Sequence, residues 1–326
     1  VSPIVLAIAV LMVSAAGTAL ARAYALRRRL VDEPGERRSH SVATPRGGGA
    51  GPVVAIALAM LFIAMRVGET PSVLLALTGF VMVAAIGAWD DHRPLPASLR
   101  LVVHVAAGAL LAFANADPLA APVLFALTLG LAVVLVNVWN FMDGIDGIAA
   151  SQAALVAIAA IAVGRGLSGS AIAVVVAAAC MGFLPFNFPR ARIFMGDVGS
   201  GALGFAITML VAETGRRSMI DGLRLLLPLS PFLVDATMTL ARRVIRRERW
   251  WQAHAQHLYQ GLARKYGHGR VTAGYAAVTA VAALTALATA SEGPAVTIAS
   301  LVVWYTGAAV SWLLLQRGIA HAARQD

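Results

Sequence analysis

The sequence predicts an all-α polytopic membrane protein, from three observations: a very apolar composition, a succession of bilayer-length apolar stretches, and a lopsided distribution of arginine. Of its residues 59% are hydrophobic and 13% charged, with a mean hydropathy of +0.78. Soluble domains average about 45–50% apolar and about 25% charged, so the composition belongs to the membrane class. The single cysteine, Cys180, lies in an apolar run. That excludes a disulfide framework or a Cys-based metal site and leaves a small buried apolar residue.

Stretches of roughly the 17–25 residues needed to span a bilayer fall near 2–26, 51–67, 72–89, 98–115, 118–139, 147–164, 168–186, 199–212, 222–242, 271–290 and 294–316. The expected total is about 10–11 helices, with 199–212 the shortest. The first stretch has no basic residues before its apolar run and is followed by Arg27, Arg28 and Arg29. It reads as a membrane helix with an inside anchor rather than a cleaved signal peptide.

A net charge of +10 suits either nucleic acid or cytoplasmic loops, and its distribution decides between them. Counting the ends of the stretches with the connection they adjoin, the odd-numbered connections and the C-terminal tail hold twenty Lys and Arg residues; the even-numbered connections hold five, and Arg22 lies deeper within the first stretch. The positive-inside rule then puts the N-terminus outside and the odd connections in the cytoplasm. Nucleic acid is not an expected partner. The polar connections are short apart from 27–50 and 243–270, so residues 1–326 are expected to form a single integral membrane domain. The run Arg242–Arg249 reads as a headgroup anchor.

The acids carry the chemistry. Asp90, Asp91, Asp143, Asp146 and Asp197 all fall at helix ends predicted to face the cytoplasm, in three different connections. An ionisable group at membrane depth costs about 2.5–3.5 kcal/mol on insertion scales and normally serves a function. Interfacial solvation would explain Asp91 alone, but it explains poorly five carboxylates gathered on one side among glycines. Hard oxygen ligands suit Mg²⁺ or Mn²⁺ rather than zinc, and Mg²⁺ commonly takes one or two carboxylates plus substrate phosphates. With such a cation the cluster becomes a diphosphate site; without it the acids repel a diphosphate.

The richest stretch is Asn137-Val-Trp-Asn-Phe-Met-Asp-Gly-Ile-Asp-Gly147. On a helix, Asn140, Asp143 and Asp146 share a face; Gly144 and Gly147 make a broken helix end equally consistent. Its companion is Asn187-Phe-Pro-Arg-Ala-Arg-Ile-Phe-Met-Gly-Asp-Val-Gly-Ser200. There Arg190 and Arg192 are candidates to offset phosphate charge, and Phe194 to stack on a base. His40, Arg46 and Gly47–Gly49 form a candidate phosphate-facing loop, since glycines let backbone N–H groups approach an anion. His254 and His257 lie three apart beside several arginines, a pattern more often found in solvated loops. No role falls to His92, His104, His268 or His321.

Taken together, these residues resemble the polyprenyl-phosphate N-acetylhexosamine-1-phosphate transferases. Five blocks carry the resemblance, in order along nearly the whole chain: Asp32–His40 with Thr44–Gly49, Asp90-Asp91, Asn140–Gly147, Phe194–Ser200, and His254-Ala-Gln-His-Leu-Tyr-Gln260. The resemblance implies a Mg²⁺ ligand at Asp197, with Asp90 and Asp91 beside the metal and the lipid phosphate, and Asp90 proposed as a base. It places Asn140, Asp143, Gly144, Asp146 and Asn187 around the nucleotide, with Asp146 on uracil and Phe194 stacked on that ring. His254 and His257 would touch the diphosphate or sugar. The implied partners are a UDP-N-acetylhexosamine, undecaprenyl phosphate and membrane lipid, with a homodimer suggested by the family alone. The implied location is the bacterial inner membrane, with the active site on its cytoplasmic side. The His-Ala-Gln-His motif and Thr44-Pro-Arg46 depart from the peptidoglycan member and are closer to the enzymes that start O-antigen and other surface polysaccharides.

Three other classes compete. A secondary transporter also buries acids, but near the bilayer midplane and usually with inverted repeats. An intramembrane prenyltransferase would want two equivalent Asp-rich motifs. A CDP-alcohol phosphotransferase would need a longer Asp–Gly–Arg array than follows Gly147.

Overall fold

The computed structural model describes residues 2–33, 42–67, 70–164, 171–249, 252 and 254–322. The described chain is helical: α1 (Pro3–Arg28), α2 (Ala50–Val67), α3 (Thr70–His92), α4 (Ala97–Asn115), α5 (Pro122–Met142), α6 (Ile148–Val163), α7 (Ala171–Asn187), α8 (Asp197–Arg217), α9 (Met219–Arg224), α10 (Leu226–Ile245), α11 (Leu258–Tyr266), α12 (His268–Ala288) and α13 (Pro294–Ala322). Two-residue strands β1 (Val31–Asp32) and β2 (Thr44–Pro45) pair antiparallel, Val31 opposite Pro45. The boundaries follow local chemistry. Ser2 caps α1, its hydroxyl accepting from the Ile4 N–H, and prolines open α1 and α5 where a missing N–H is harmless.

Helices α1, α3, α4, α5, α8, α12 and α13 are long and apolar enough to cross a membrane, and α2, α6 and α7 are shorter apolar helices. Each expected stretch falls on a helix, with three differences. The ninth breaks at Leu225 into α9 and α10. The stretch read as short, 199–212, is the 21-residue α8. Its most apolar window is 89% buried inside the protein, against 6% for α13. A helix surrounded by other helices is selected for small, close-packing residues, so it looks less apolar than one facing lipid. The third difference is α11, whose inner residues Leu258, Tyr259, Gln260, Gly261 and Ala263 are buried while Arg264 and Lys265 end it. Nine residues are too few to register as a span.

Packing puts α8 in the middle, against α3, α5 and α6, with α1, α2 and α7 packed together on one flank and α10, α12 and α13 on another. The core is aromatic near its centre: Trp139, Phe80, Phe183, Phe205 and Phe232 are fully buried, and the Trp139 and Phe232 rings lie 5.0 Å apart. Cys180 is buried and free. One end of the bundle gathers the odd-numbered connections. There Arg46 N–H donates to Leu30, Gly48 N–H to Phe194, Gly147 N–H to Asn187, and the Tyr259 hydroxyl to the Phe141 carbonyl.

Candidate active site

The site is organised on the first turn of α8. A helix N-terminus leaves backbone N–H groups without intrahelical partners, and here a carboxylate from another helix takes two of them. Asp91, near the end of α3 and buried, accepts from the Asp197 N–H through Oδ1 and from the Val198 N–H through Oδ2, both at 3.0 Å. Gly87, one turn earlier on α3, permits this approach: a Cβ there would lie 2.2 Å from the Asp197 carbonyl oxygen. Arg46 donates to the Asp91 carbonyl from the other side.

Asp90 faces the same space. Its Oδ1 accepts from the Leu95 N–H at 2.5 Å, and its Oδ2 meets Arg100 Nη1 at 3.0 Å. The same Nη1 reaches Asp197 Oδ2 at 3.1 Å, so one guanidinium bridges two carboxylates. Asp143, in the break between α5 and α6, completes the acidic group. Burial, and then the negative charges of Asp197 and Asp91, push its carboxyl up to about 8. Four carboxyl groups thus face two arginines among the described residues, and a cation bound there would let the raised carboxyls ionise.

Among the described residues no three His, Cys, Asp or Glu side chains converge tightly enough to hold a metal on their own. A Mg²⁺ ion, which habitually leaves positions for phosphate oxygens and water, nevertheless fits this donor set of hard oxygens with excess negative charge.

The second half of the site is built by α11. Its first two N–H groups, Leu258 and Tyr259, donate to Asp235 of α10 at 2.8 and 3.0 Å. This places His257, at the helix start, in a stack with Phe141 (ring centroids 6.2 Å, 26°) and 4.9 Å from the His254 ring. Burial holds both imidazoles below their usual range, His254 at about 4. The Nδ1 atom of His254 is buried without a hydrogen-bond partner, and the His257 side chain faces the Gln260 N–H in a capping box. The Tyr259 hydroxyl donates to the Phe141 carbonyl at 3.0 Å and lies against Gly144, where a Cβ would be 2.2 Å from it.

A match to the model of glycosyl transferase family 4 covers residues 72–215, the span that contains every acid of the cluster. The decaprenyl-phosphate N-acetylglucosaminephosphotransferase of Mycobacterium tuberculosis H37Rv is 32% identical over 300 residues, covering 77% of this chain and 73% of that one. The chain belongs to this family. The protein of the same name from Mycolicibacterium smegmatis is 33% identical over 224 residues, 58% of this chain and 54% of its own length. A probable undecaprenyl-phosphate N-acetylglucosaminyl 1-phosphate transferase from Bacillus subtilis 168 is 26% identical over 264 residues, 75% of this chain and 73% of that one.

Of the residues singled out from the sequence of this family member, Asp90, Asp91, Asp143, Asp197, Arg46, Gly144 and His257 lie in these two linked groups. Asn140 joins through its amide, which donates to Ser200 Oγ on α8 at 3.2 Å. Asp146 meets His268 Nδ1 at 3.2 Å, and its carbonyl accepts from Thr272. Phe194 is half-buried, its N–H donating to the Pro45 carbonyl. His40 lies outside the described residues.

Four expectations change. Asp91, read as a metal ligand, also has a structural task, each carboxylate oxygen accepting one N–H of the α8 N-terminus so that it positions Asp197. Asn187, read as lining the nucleotide pocket, is buried and ties two connections together, accepting from Gly147 N–H and donating to the Ile193 carbonyl. Arg192, read as a phosphate partner, is exposed and donates to the Pro185 carbonyl at 2.5 Å. Gly48 and Gly49, read as presenting N–H groups to an anion, give them to the Phe194 and Met195 carbonyls.

Sequence reasoning passed over Arg100, Asp235, Tyr259 and His268. In the sequence Arg100 reads only as loop charge. Asp235 had a signal, a lone acid in an otherwise apolar stretch, which is costly in a membrane and so needs a reason.

Proposed function

We propose that the protein transfers N-acetylhexosamine 1-phosphate from a UDP-N-acetylhexosamine to a polyprenyl phosphate such as undecaprenyl phosphate, releasing UMP. The observation that carries this reading is the convergence of Asp90, Asp91 and Asp197 at the α8 N-terminus, with Asp143 near enough to be influenced by their charges. Phosphoryl transfer requires alignment and charge neutralisation more than covalent help. Family membership favours this reading over a transporter or prenyltransferase.

An oxygen of the lipid phosphate forms a bond to the phosphorus that bears the sugar, and the bond from that phosphorus to the bridging oxygen breaks. UMP leaves with that oxygen. A phosphate monoester has a second pKa of about 6, so the nucleophile needs no strong base. Asp90 is better placed to orient the acceptor than to deprotonate it, being held at one oxygen by the Leu95 N–H and at the other by Arg100. Mg²⁺, held by Asp197 and Asp90 and otherwise by substrate oxygens, would supply the charge neutralisation the diphosphate needs; Mn²⁺ has the same ligand preference. Asp91 fixes where Asp197 presents its carboxylate. His254 and His257, both held below their usual range by burial, offer ring nitrogens for hydrogen bonds to sugar or phosphate.

The arginine-rich end of the bundle carries all of these groups, which supports a site on the cytoplasmic side of a bacterial inner membrane. The lipid-linked product would start a surface glycan. The test is incubation of the purified protein with Mg²⁺, undecaprenyl phosphate and a panel of UDP-sugars, scoring UMP and lipid-linked product. Absence of UMP with every donor from folded protein rejects the reading.

A further inference from the structure

Asp235 lies in the tenth helix, 1% exposed, apart from the acidic group at α8 and with no role in the transfer described above. Its carboxylate is the most heavily hydrogen-bonded side chain in the described structure. Oδ1 accepts from Leu258 N–H at 2.8 Å, Trp312 Nε1 at 3.1 Å and Thr239 Oγ1 at 3.2 Å. Oδ2 accepts from the Tyr275 hydroxyl at 2.8 Å and Tyr259 N–H at 3.0 Å. The donors come from α10, α11, α12 and α13, so one buried charge ties four helices together.

We infer that Asp235 is the positioning residue of the histidine half of the site, anchoring the first turn of α11 so that His257 stands over Phe141 and Tyr259 holds the Asp143–Gly147 segment. The inference rests on the transferase reading for its consequence in catalysis, though not for its structural content.

A nine-residue helix is too short to persist on backbone hydrogen bonds alone, and this one begins in a dry interior where unpaired N–H groups are costly. A carboxylate taking two first-turn N–H groups satisfies both and complements the helix dipole. Once that turn is fixed, three side chains are placed. His257 sits between Phe141 and His254. The Tyr259 hydroxyl reaches the Phe141 carbonyl and packs on Gly144, next to Asp143. The Gln260 side chain returns to accept from the His257 N–H at 3.2 Å. His257 Nδ1 is 3.9 Å from Asp235 Oδ1, beyond hydrogen-bond reach, so Asp235 acts on the imidazole through the backbone rather than as a proton relay.

The test uses the full-length protein in detergent. Asp235→Asn keeps the shape but turns one acceptor oxygen into a donor facing donors; Tyr275→Phe and Trp312→Phe each remove an outer donor and leave the α11 cap intact. His257 modification by diethyl pyrocarbonate, read by mass spectrometry against His104, needs no substrate. Asp235→Asn is expected to speed labelling of His257 at least tenfold without changing His104, and Tyr275→Phe and Trp312→Phe to leave both unchanged. In turnover with Mg²⁺, undecaprenyl phosphate and UDP-N-acetylglucosamine, His257→Ala should cost far less in the Asp235→Asn background than in wild type, while Asn140→Ala should cost the same in both.

Equal labelling of His257 in wild type and Asp235→Asn overturns the inference, as does additivity of Asp235→Asn with His257→Ala. Tyr275→Phe matching Asp235→Asn in every readout also overturns it, because the residue then serves helix packing alone. Wild-type protein that labels as expected yet releases no UMP with any donor rejects the transferase reading and leaves the placement of His257 standing.

Discussion

The molecule uses the same device twice. Asp91 of α3 takes the first two N–H groups of α8, and Asp235 of α10 takes the first two of α11, each with one oxygen per N–H at 2.8–3.0 Å. The surroundings differ. Asp235 is met by a tyrosine, a tryptophan and a threonine, so its charge is spread over neutral donors and the pocket is electrically finished. Asp91 stands among Asp90, Asp143 and Asp197, faced among the described residues by Arg46 and Arg100, so its pocket crowds acidic groups together. One cap completes a structure; the other prepares a place for something positive. In both, the carboxylate places its neighbours.

The sharpest way to break this comparison is to separate charge from scaffold at α8. Asp197→Asn leaves the cap from Asp91 untouched, because the backbone N–H of residue 197 remains. Turnover at saturating Mg²⁺ should fall on the order of 10³-fold, the scale for losing a preorganised electrostatic group at a phosphoryl centre. The thermal midpoint should hold or rise as like-charge repulsion is relieved. Asp91→Asn should do the reverse in proportion: its new amide faces the Asp197 or Val198 N–H, leaving a buried donor unpaired at a cost of about 1–3 kcal/mol. Its melting temperature in detergent should drop, and activity with it. If Asp197→Asn destabilises and Asp91→Asn does not, the assignment of cap and ligand is inverted.

How much of this was legible in the sequence varied with the physics involved. Helices facing lipid announce themselves, because lipid demands continuous apolar surface; α1, α3, α4, α5, α12 and α13 were all readable. The α8 helix was foreshortened because its partners are other helices. The acids at one end of the bundle were readable by type and spacing, yet their division of labour was not. Whether a carboxylate binds a cation or caps a helix depends on which chain comes near it, and Asp91 and Val198 are 107 positions apart. Arg192 and Asn187 show the same limit: polar residues in a motif-rich loop look like ligand contacts, whereas the backbone of that loop consumes them. Arg100 went unseen because a basic residue beside an apolar helix is already explained by topology.

A milder perturbation tests whether the two halves communicate through Tyr259. Gly144→Ala would set a methyl 2.2 Å from the Tyr259 hydroxyl, displacing either that ring or the Asp143 segment. A shift of about 1 Å in a positioned group can cost on the order of 10²-fold in rate, and a loss of that size is expected, with the bundle still folded. Tyr259→Phe in the same chain removes the clashing oxygen and should restore part of the activity. No restoration would mean that Gly144 is needed for close approach of substrate itself rather than for its contact with α11.

The smallest effect is expected at Arg192, and it is informative for that reason. Its position in a loop three residues after a proline and five before Asp197 makes it look like a phosphate partner. In the structure its guanidinium donates to the Pro185 carbonyl and lies over the Phe186 ring, 5.1 Å from the centroid. Its own carbonyl accepts from Arg22 of α1 at 3.2 Å. These contacts tie the outside of the loop to α7 and α1 and involve none of the acids that form the site. Exposed substitutions of this kind change stability by roughly 0.5 kcal/mol or less, so Arg192→Ala should alter kcat and KM for the nucleotide sugar within about twofold. Arg46→Ala should be far more damaging, because its guanidinium helps offset the charge at Asp91. A donor KM raised tenfold by Arg192→Ala with kcat unchanged would show that the side chain leaves Pro185 and turns inward when substrate binds. The acidic half of the site would then be finished by the ligand, while the histidine half remained as built.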